Sequence, residues 1–181
     1  MNDATTPAGT LFIRRAVQTD AAALAVFGAR SFEEAFGAQN RPEDLRAHLE
    51  QTFGVVRQTQ EIANSEMVTL LAYLDTRLIG FAQLRNQAPA PGLLIDRPIE
   101  LRRFYVDRPA QGKGIAQQLM RAVHAAARAF DAGTLWLGVW EHNPRAIAFY
   151  TKVGFVDRGS HDFYVGADRQ TDRVLVAPVQ T

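Results

Sequence analysis

The sequence predicts one domain of mixed α/β class, on three observations. Its 181 residues lie within the size range of an ordinary single domain and suffice for a substantial core. Hydrophobic residues make up 47% and charged residues 22%, the balance of a packed globule rather than a disordered or fibrous chain. Runs of β-formers alternate along the whole length with segments whose apolar residues recur at helical spacing. No internal repeat, low-complexity tract or second domain interrupts them.

In order, residues 11–16 read as a first strand. Thr19 and Asp20 offer an N-cap before an Ala-rich helix reaching about Gly37, with Leu24, Phe27, Ser31 and Ala35 and their neighbours Phe32 and Phe36 as its stripe. Pro42 suits a first helical position, and Glu43 and Asp44 suit the positive end of a helix, so residues 42–53 read as a second helix. Residues 55–65 are a further helical stretch. Two β-rich runs, 67–74 and 78–85, flank Asp75, Thr76 and Arg77 and predict a hairpin. Pro89, Pro91, Gly92 and Pro98 punctuate a loop over 88–98, and residues 99–106 read as a strand. Residues 111–130 form the clearest helix, placing Ile115, Leu119, Val123, Ala126 and Phe130 on one face. A strand over 134–140, a short helix over 143–153 and a strand pair over 155–165 and 173–179 complete the chain.

The formal net charge is +1 and the basic residues are scattered, so neither a nucleic-acid nor a membrane footprint is expected; the partners implied are small molecules. Without cysteine, disulfides, thiolate metal sites and cysteine nucleophiles are excluded. His48, His124, His142 and His161 have no ligand spacing with each other or with acids, and no metal is expected. The first ten residues are polar, are expected to be flexible, and lack the basic start and apolar run of a signal peptide; a cytoplasmic location is expected.

The most informative segment is Gln111-Gly112-Lys113-Gly114-Ile115-Ala116. It stands between a strand and a helix, where unclaimed backbone N–H groups attract phosphate oxygens and glycines allow close approach. A ligand-free Gly-rich turn is the bland alternative. A nucleoside-triphosphate loop fails, because Lys113 lies between the glycines and no hydroxyl follows. A dinucleotide fingerprint is weak, because Gln117 stands where a third small residue belongs.

With its neighbours the loop resembles the pyrophosphate loop of the GCN5-related N-acetyltransferases. Their pattern of Gln or Arg, two residues, Gly, one residue, then Gly or Ala matches Gln111, Gly114 and Ala116. Residues 100–106 resemble the family's fourth strand, and 143–155 its cofactor-side helix and following turn. Looser motifs at 31–36, 42–45, 163–166 and 170–172 resemble a branch that includes PaiA-type polyamine acetyltransferases. The resemblance implies a single N-acetyltransferase domain over residues 11–181. Its central twisted, mostly antiparallel sheet of about seven strands would splay between strands four and five and be flanked by about four helices.

It also implies acetyl-CoA as co-substrate and direct acetyl transfer to a primary amine. Phe104, Tyr105 and Val106 would pair their backbone with the pantetheine arm, the Val106 N–H polarising the thioester carbonyl. Gln111, Gly112, Lys113, Gly114, Ile115 and Ala116 would hold the pyrophosphate. Asn143 would touch the cofactor arm and Lys152 its phosphates, although a helix cap and a surface charge account for them equally. Tyr150 matches the family's general acid, because a phenol keeps its proton at neutral pH and can give it to a departing thiolate. Glu100 stands six residues before Val106, where one branch carries its base; a carboxylate paired with a neighbouring arginine is the alternative. Glu33, Glu34 and Phe36 are candidate substrate residues, and Glu33, Glu34, Glu43 and Asp44, from the two helices that build the family's acceptor wall, would make an acidic wall suited to a polyamine. N-acetylation of a peptide N-terminus or another small amine stays open, as does an acyl-CoA sensor without chemistry. Edge strands leave a homodimer open as well.

Overall fold

The structure, a computed structural model, describes residues 9–89 and 94–180. The expected flexible N-terminus therefore lies, apart from Gly9 and Thr10, outside the described residues, as do residues 90–93 of the punctuated loop. Seven strands form one sheet: β1 (Leu11–Arg15), β2 (Met67–Leu74), β3 (Arg77–Arg85), β4 (Pro98–Val106), β5 (Thr134–Trp140), β6 (Val156–Val165) and β7 (Asp168–Pro178). Their spatial order is β1-β2-β3-β4-β5-β7-β6. Every neighbouring pair is antiparallel except β4 and β5, which run parallel. Five α-helices are described, one more than the family resemblance implies: α1 (Ala21–Phe36), α2 (Pro42–Phe53), α3 (Val55–Ala63), α4 (Ile115–Ala129) and α5 (Pro144–Lys152).

The sheet separates two cores. On one face α4 buries Ile115, Leu119, Val123 and Ala127 against Leu70, Ala72, Ile79, Ala82 and Leu84, with Tyr150 of α5 in the same cluster. On the other, Leu24, Phe27 and Phe32 of α1 meet Leu45 and Phe53 of α2 over Leu71 and Phe81. This explains why β2 is apolar without alternation: successive side chains enter opposite cores, so both faces need hydrophobic residues. In α1 the core stripe continues through Phe32, whereas Ser31 and Ala35 line a cavity.

Asp20 does not cap α1 with its side chain. A 3₁₀ turn, Gln18–Asp20, precedes the helix, and the carboxylate accepts the Val17 N–H at 2.8 Å and an ion pair from Arg14 at 2.7 Å. The β2–β3 hairpin is tighter than the sequence suggests, because Arg77 already pairs with Leu74. Asp75, at φ 54°, takes the left-handed turn position that a short polar side chain tolerates.

Behind the site, Glu61 of α3 is only 4% exposed and receives Arg103 at 2.5 Å, Arg102 at 2.9 Å and Gln83 at 3.1 Å. Burial alone would raise its carboxyl pKa. The charge and hydrogen bond of Arg103, with Arg102 and Gln83, outweigh that and hold it below the usual carboxylate range. This network fixes the middle of β4 against α3.

Candidate active site

Three residue pairs join β4 to β5: Pro98 with Thr134, Ile99 with Leu135, and Glu100 with Trp136. Beyond Glu100 the strands separate, as the resemblance implies. The free edge of β4 can be read from its ladder with β3. Asp107 donates its N–H to the Ile79 carbonyl at 2.8 Å, in register with Gly80 opposite Val106. Antiparallel bonding alternates residue by residue, so the N–H and C=O groups of Phe104 and Val106 point away from β3 into the gap. The Val106 carbonyl accepts the Gln111 side-chain amide at 2.7 Å, which ties the glycine loop to the strand end.

Gly112 and Gly114 take φ of 77° and 75°, and a Cβ on either would meet nothing within 4 Å. Glycine is required there for its left-handed backbone, not for space. Gly114 is the N-cap of α4, and the first intrahelical bond runs from the Gln118 N–H to the Gly114 carbonyl. The N–H groups of Ile115, Ala116 and Gln117 are therefore unclaimed by the helix and exposed to an anion.

One cavity of about 690 Å³ joins these features. Of the residues expected from the sequence, Phe104, Tyr105, Val106, Gln111, Gly112, Gly114, Ala116, Asn143, Tyr150 and Lys152 line it, together with Glu34 and Phe36. Lys113 is exposed on the loop, and Ile115 is buried beneath it in the core, able to offer only its backbone. Asn143 caps α5, its Oδ1 accepting the Ala146 N–H at 3.1 Å, which leaves its amide nitrogen for a ligand. Tyr150 is 8% exposed, ringed by Phe104, Phe149 and Phe155 at centroid distances of 6.3, 5.5 and 5.5 Å. Burial, reinforced by the Tyr105 phenol, raises its hydroxyl pKa far above the ordinary value. Tyr105 stacks on Phe81 at 5.4 Å and is pushed up to about 12, chiefly by burial.

Two expectations meet a different geometry. Glu100 does not line the cavity; its carboxylate accepts Arg85 Nε at 2.6 Å, across the register pair that joins β3 to β4. It sits at the apex of the splay, where it closes the seam. The acidic wall is also dispersed. Glu33 is exposed away from the cavity, Glu43 pairs with Arg41 at 2.8 Å, and Asp44 accepts the Ala167 N–H at 3.0 Å, docking α2 on the β6–β7 turn. Only Glu34 of these four reaches the cavity, and aromatic rings take the place of the others. Phe36 meets Trp140 edge-on at 6.1 Å, and Phe163 packs against His48 at 6.0 Å.

Asp172 belongs to the 170–172 motif, but was not among the site residues expected from the sequence. It lies in β7 opposite Trp140 and His161, lines the cavity, and is 7% exposed, with Oδ1 lacking any hydrogen-bond partner among the described residues. Burial pushes its carboxyl up to about 6, with His161 pulling weakly the other way. Its hydrophilic strand context gave no burial signal; only the pairing of β7 between β5 and β6 carries it inward.

A split sheet whose free strand edge leads onto an anion-receptive helix start defines an acyltransferase class of fold. Within that class the chain belongs to the GNAT acetyltransferases: the model of the acetyltransferase (GNAT) family matches residues 30–155. An uncharacterized N-acetyltransferase of Mycobacterium tuberculosis is 33% identical over 158 residues, 87% of this chain and 97% of that protein. A spermine/spermidine N(1)-acetyltransferase of Bacillus subtilis is 33% identical over 64 residues, 35% of this chain and 42% of its own. In fold, the PaiA N-acetyltransferase of Thermoplasma acidophilum, crystallised with coenzyme A, superposes with a TM-score of 0.75 at 20% identity, covering 93% of this chain and 99% of that one. The protein is an acetyl-transferring enzyme. Among its described residues no helix is long and apolar enough to cross a membrane.

Proposed function

We propose that the enzyme takes an acetyl group from acetyl-CoA and passes it directly to a primary amine, with a polyamine as the favoured acceptor class. The observation that carries this reading is the splay beyond Glu100. It leaves the N–H groups of Phe104 and Val106 unpaired and aims the gap at the glycine loop and the start of α4. A pantetheine arm fits as an added strand, with Val106 N–H at the thioester oxygen and the pyrophosphate on the amides of residues 112–117. Asn143 and Lys152, on the facing helix, stand where they can touch the arm and the phosphates. Tyr150 protonates the departing thiolate. Its burial keeps the phenol protonated but also makes it a weak acid, so the proton follows charge as it develops on sulfur.

The polyamine acceptor is supported by the name of the Bacillus protein and by the aromatic acceptor side, where Phe36 and Trp140 can flank an alkyl chain or face a cation. The test is thiol release from acetyl-CoA across spermidine, 1,4-diaminobutane, butylamine, an amino sugar and a peptide N-terminus, beside a direct CoA titration. The expected outcome is CoA binding with turnover fastest on spermidine or diaminobutane. Transfer only to the peptide or the sugar would remove the polyamine acceptor. Binding without turnover on any amine would make the protein an acyl-CoA sensor.

A further inference from the structure

We infer that Asp172 is the carboxylate that takes the proton of the acceptor ammonium, a catalytic role that rests on the amine-acetylating reading above. Four features place it there. It lines the cavity shared by Val106 and Tyr150. It is more than nine-tenths buried, yet Oδ1 has no hydrogen-bond partner among the described residues. It lies on the aromatic side of the sheet, because alternate residues of β5 share a face and Asp172 is in register with Trp140. Finally, Gly138, two residues before Trp140, leaves the room it occupies: a Cβ there would come within 3.0 Å of Asp172 Oδ2 and 2.8 Å of His161 Nε2.

A buried carboxylate without a partner is costly, and neither ion pairing nor a cap explains this one. An incoming ammonium does. The neighbouring arginine-rich network belongs to Glu61, and Glu100 is held by Arg85. The titratable groups whose charge couples to Asp172 are His161 on β6 and Tyr105 on β4. Glu34 of α1 and Arg102 and Arg103 of β4 share the cavity wall. The proton affinity that burial gives Asp172 leaves it ionised at neutral pH but readier to accept a proton than an exposed carboxylate.

The step balances as follows. Asp172 takes one proton from the ammonium and frees the nitrogen lone pair. That pair forms the bond to the acyl carbon, and the C–S bond breaks with its electrons on sulfur. Sulfur takes the Tyr150 proton, the second nitrogen proton restores the phenol, and Asp172 releases its own to solvent with the products.

The test compares wild type, Asp172→Asn and Asp172→Glu on acetyl-CoA with the panel amine turned over fastest, following kcat/KM for the amine from pH 5 to 9. Asparagine should lower kcat/KM at pH 7 by ~10²-fold, abolish an acid limb near pH 6 and leave CoA affinity within about twofold; glutamate should restore part of the rate. Asp172→Asn within threefold of wild type, or with its acid limb intact, overturns the assignment while the acetyltransferase reading stands. A wild-type enzyme that acetylates no amine removes that reading and the inference with it. Should Asp172→Asn fail to bind CoA, Gly138→Ala, which presses on the carboxylate without removing it, must lower kcat/KM instead, and unchanged turnover there overturns the assignment equally.

Discussion

At the scale of single residues, what Tyr150, Glu100 and Asp172 each touch sets what their replacement should do. Tyr150 packs in the core and lines the cavity, so Tyr150→Phe keeps the packing and removes the proton proposed for transfer. Turnover should fall by ~10²-fold or more with CoA affinity nearly intact, measured by thiol release beside a CoA titration. Glu100→Gln should behave in the opposite way. Its partner Arg85 is 29% exposed, so losing the charge-assisted bond should cost about 1–2 kcal/mol in urea unfolding while turnover stays within a few-fold of wild type. A hundredfold loss of turnover in that variant would restore Glu100 to the chemistry.

At the scale of elements, the strand-loop-helix unit from β4 to α4 is where local sequence and global fold agree most closely. Gly112 and Gly114 need left-handed backbone, and Ile115, Leu119 and Val123 supply the helical period, so this unit was legible from residue types alone. Gly114→Ala puts a side chain where φ is 75°. It should weaken CoA binding by roughly tenfold, from a strain of ~1–2 kcal/mol released by distorting the loop; unchanged CoA affinity would show that the loop conformation is not what binds phosphate. The acceptor side was far less legible. Glu33, Glu43 and Asp44 are acidic residues of the first two helices, but helical rotation turns Glu33 outward, Arg41 pairs with Glu43, and the Ala167 N–H of the distant β6–β7 turn holds Asp44. Asp172 sits in a polar stretch, and its burial depends on β7 inserting between β5 and β6. Such a non-consecutive pairing leaves no trace in hydrophobic period.

At the scale of the whole molecule, two kinds of carboxyl give opposite pH dependences of stability. Asp20 and Glu61 have folded pKa values below their ordinary 3.8 and 4.5. They bind fewer protons folded than unfolded, so their contribution is full above those values and is lost as pH falls through the lowered ones. Asp172 has the reverse sign. Raised from 3.8 to about 6, it binds more protons folded, so stability declines as pH rises through that window and stays lower above it. The cost at neutral pH is at most about 3 kcal/mol. Asp172→Asn should therefore be the more stable protein in urea at pH 7 although the less active, and the advantage should shrink toward pH 4. A destabilised Asp172→Asn at pH 7 would mean that the carboxylate has a structural partner.

The seam between β4 and β5 has a consequence for motion as well as for binding. Three paired positions hold the four-stranded half of the sheet to the three-stranded half, both halves share one core with α4, and a donor lying along β4 would extend the pairing where the strands part. Amide hydrogen exchange reads this directly. Adding CoA alone should slow exchange at Phe104 and Val106, whose N–H groups face the gap, and leave Tyr105, already bonded toward β3, unchanged. On the proposed donor pose the pantetheine arm would be a temporary strand of the sheet, so exchange at Phe104 and Val106 should be slowest in the loaded enzyme and return to its free rate once the thiol departs.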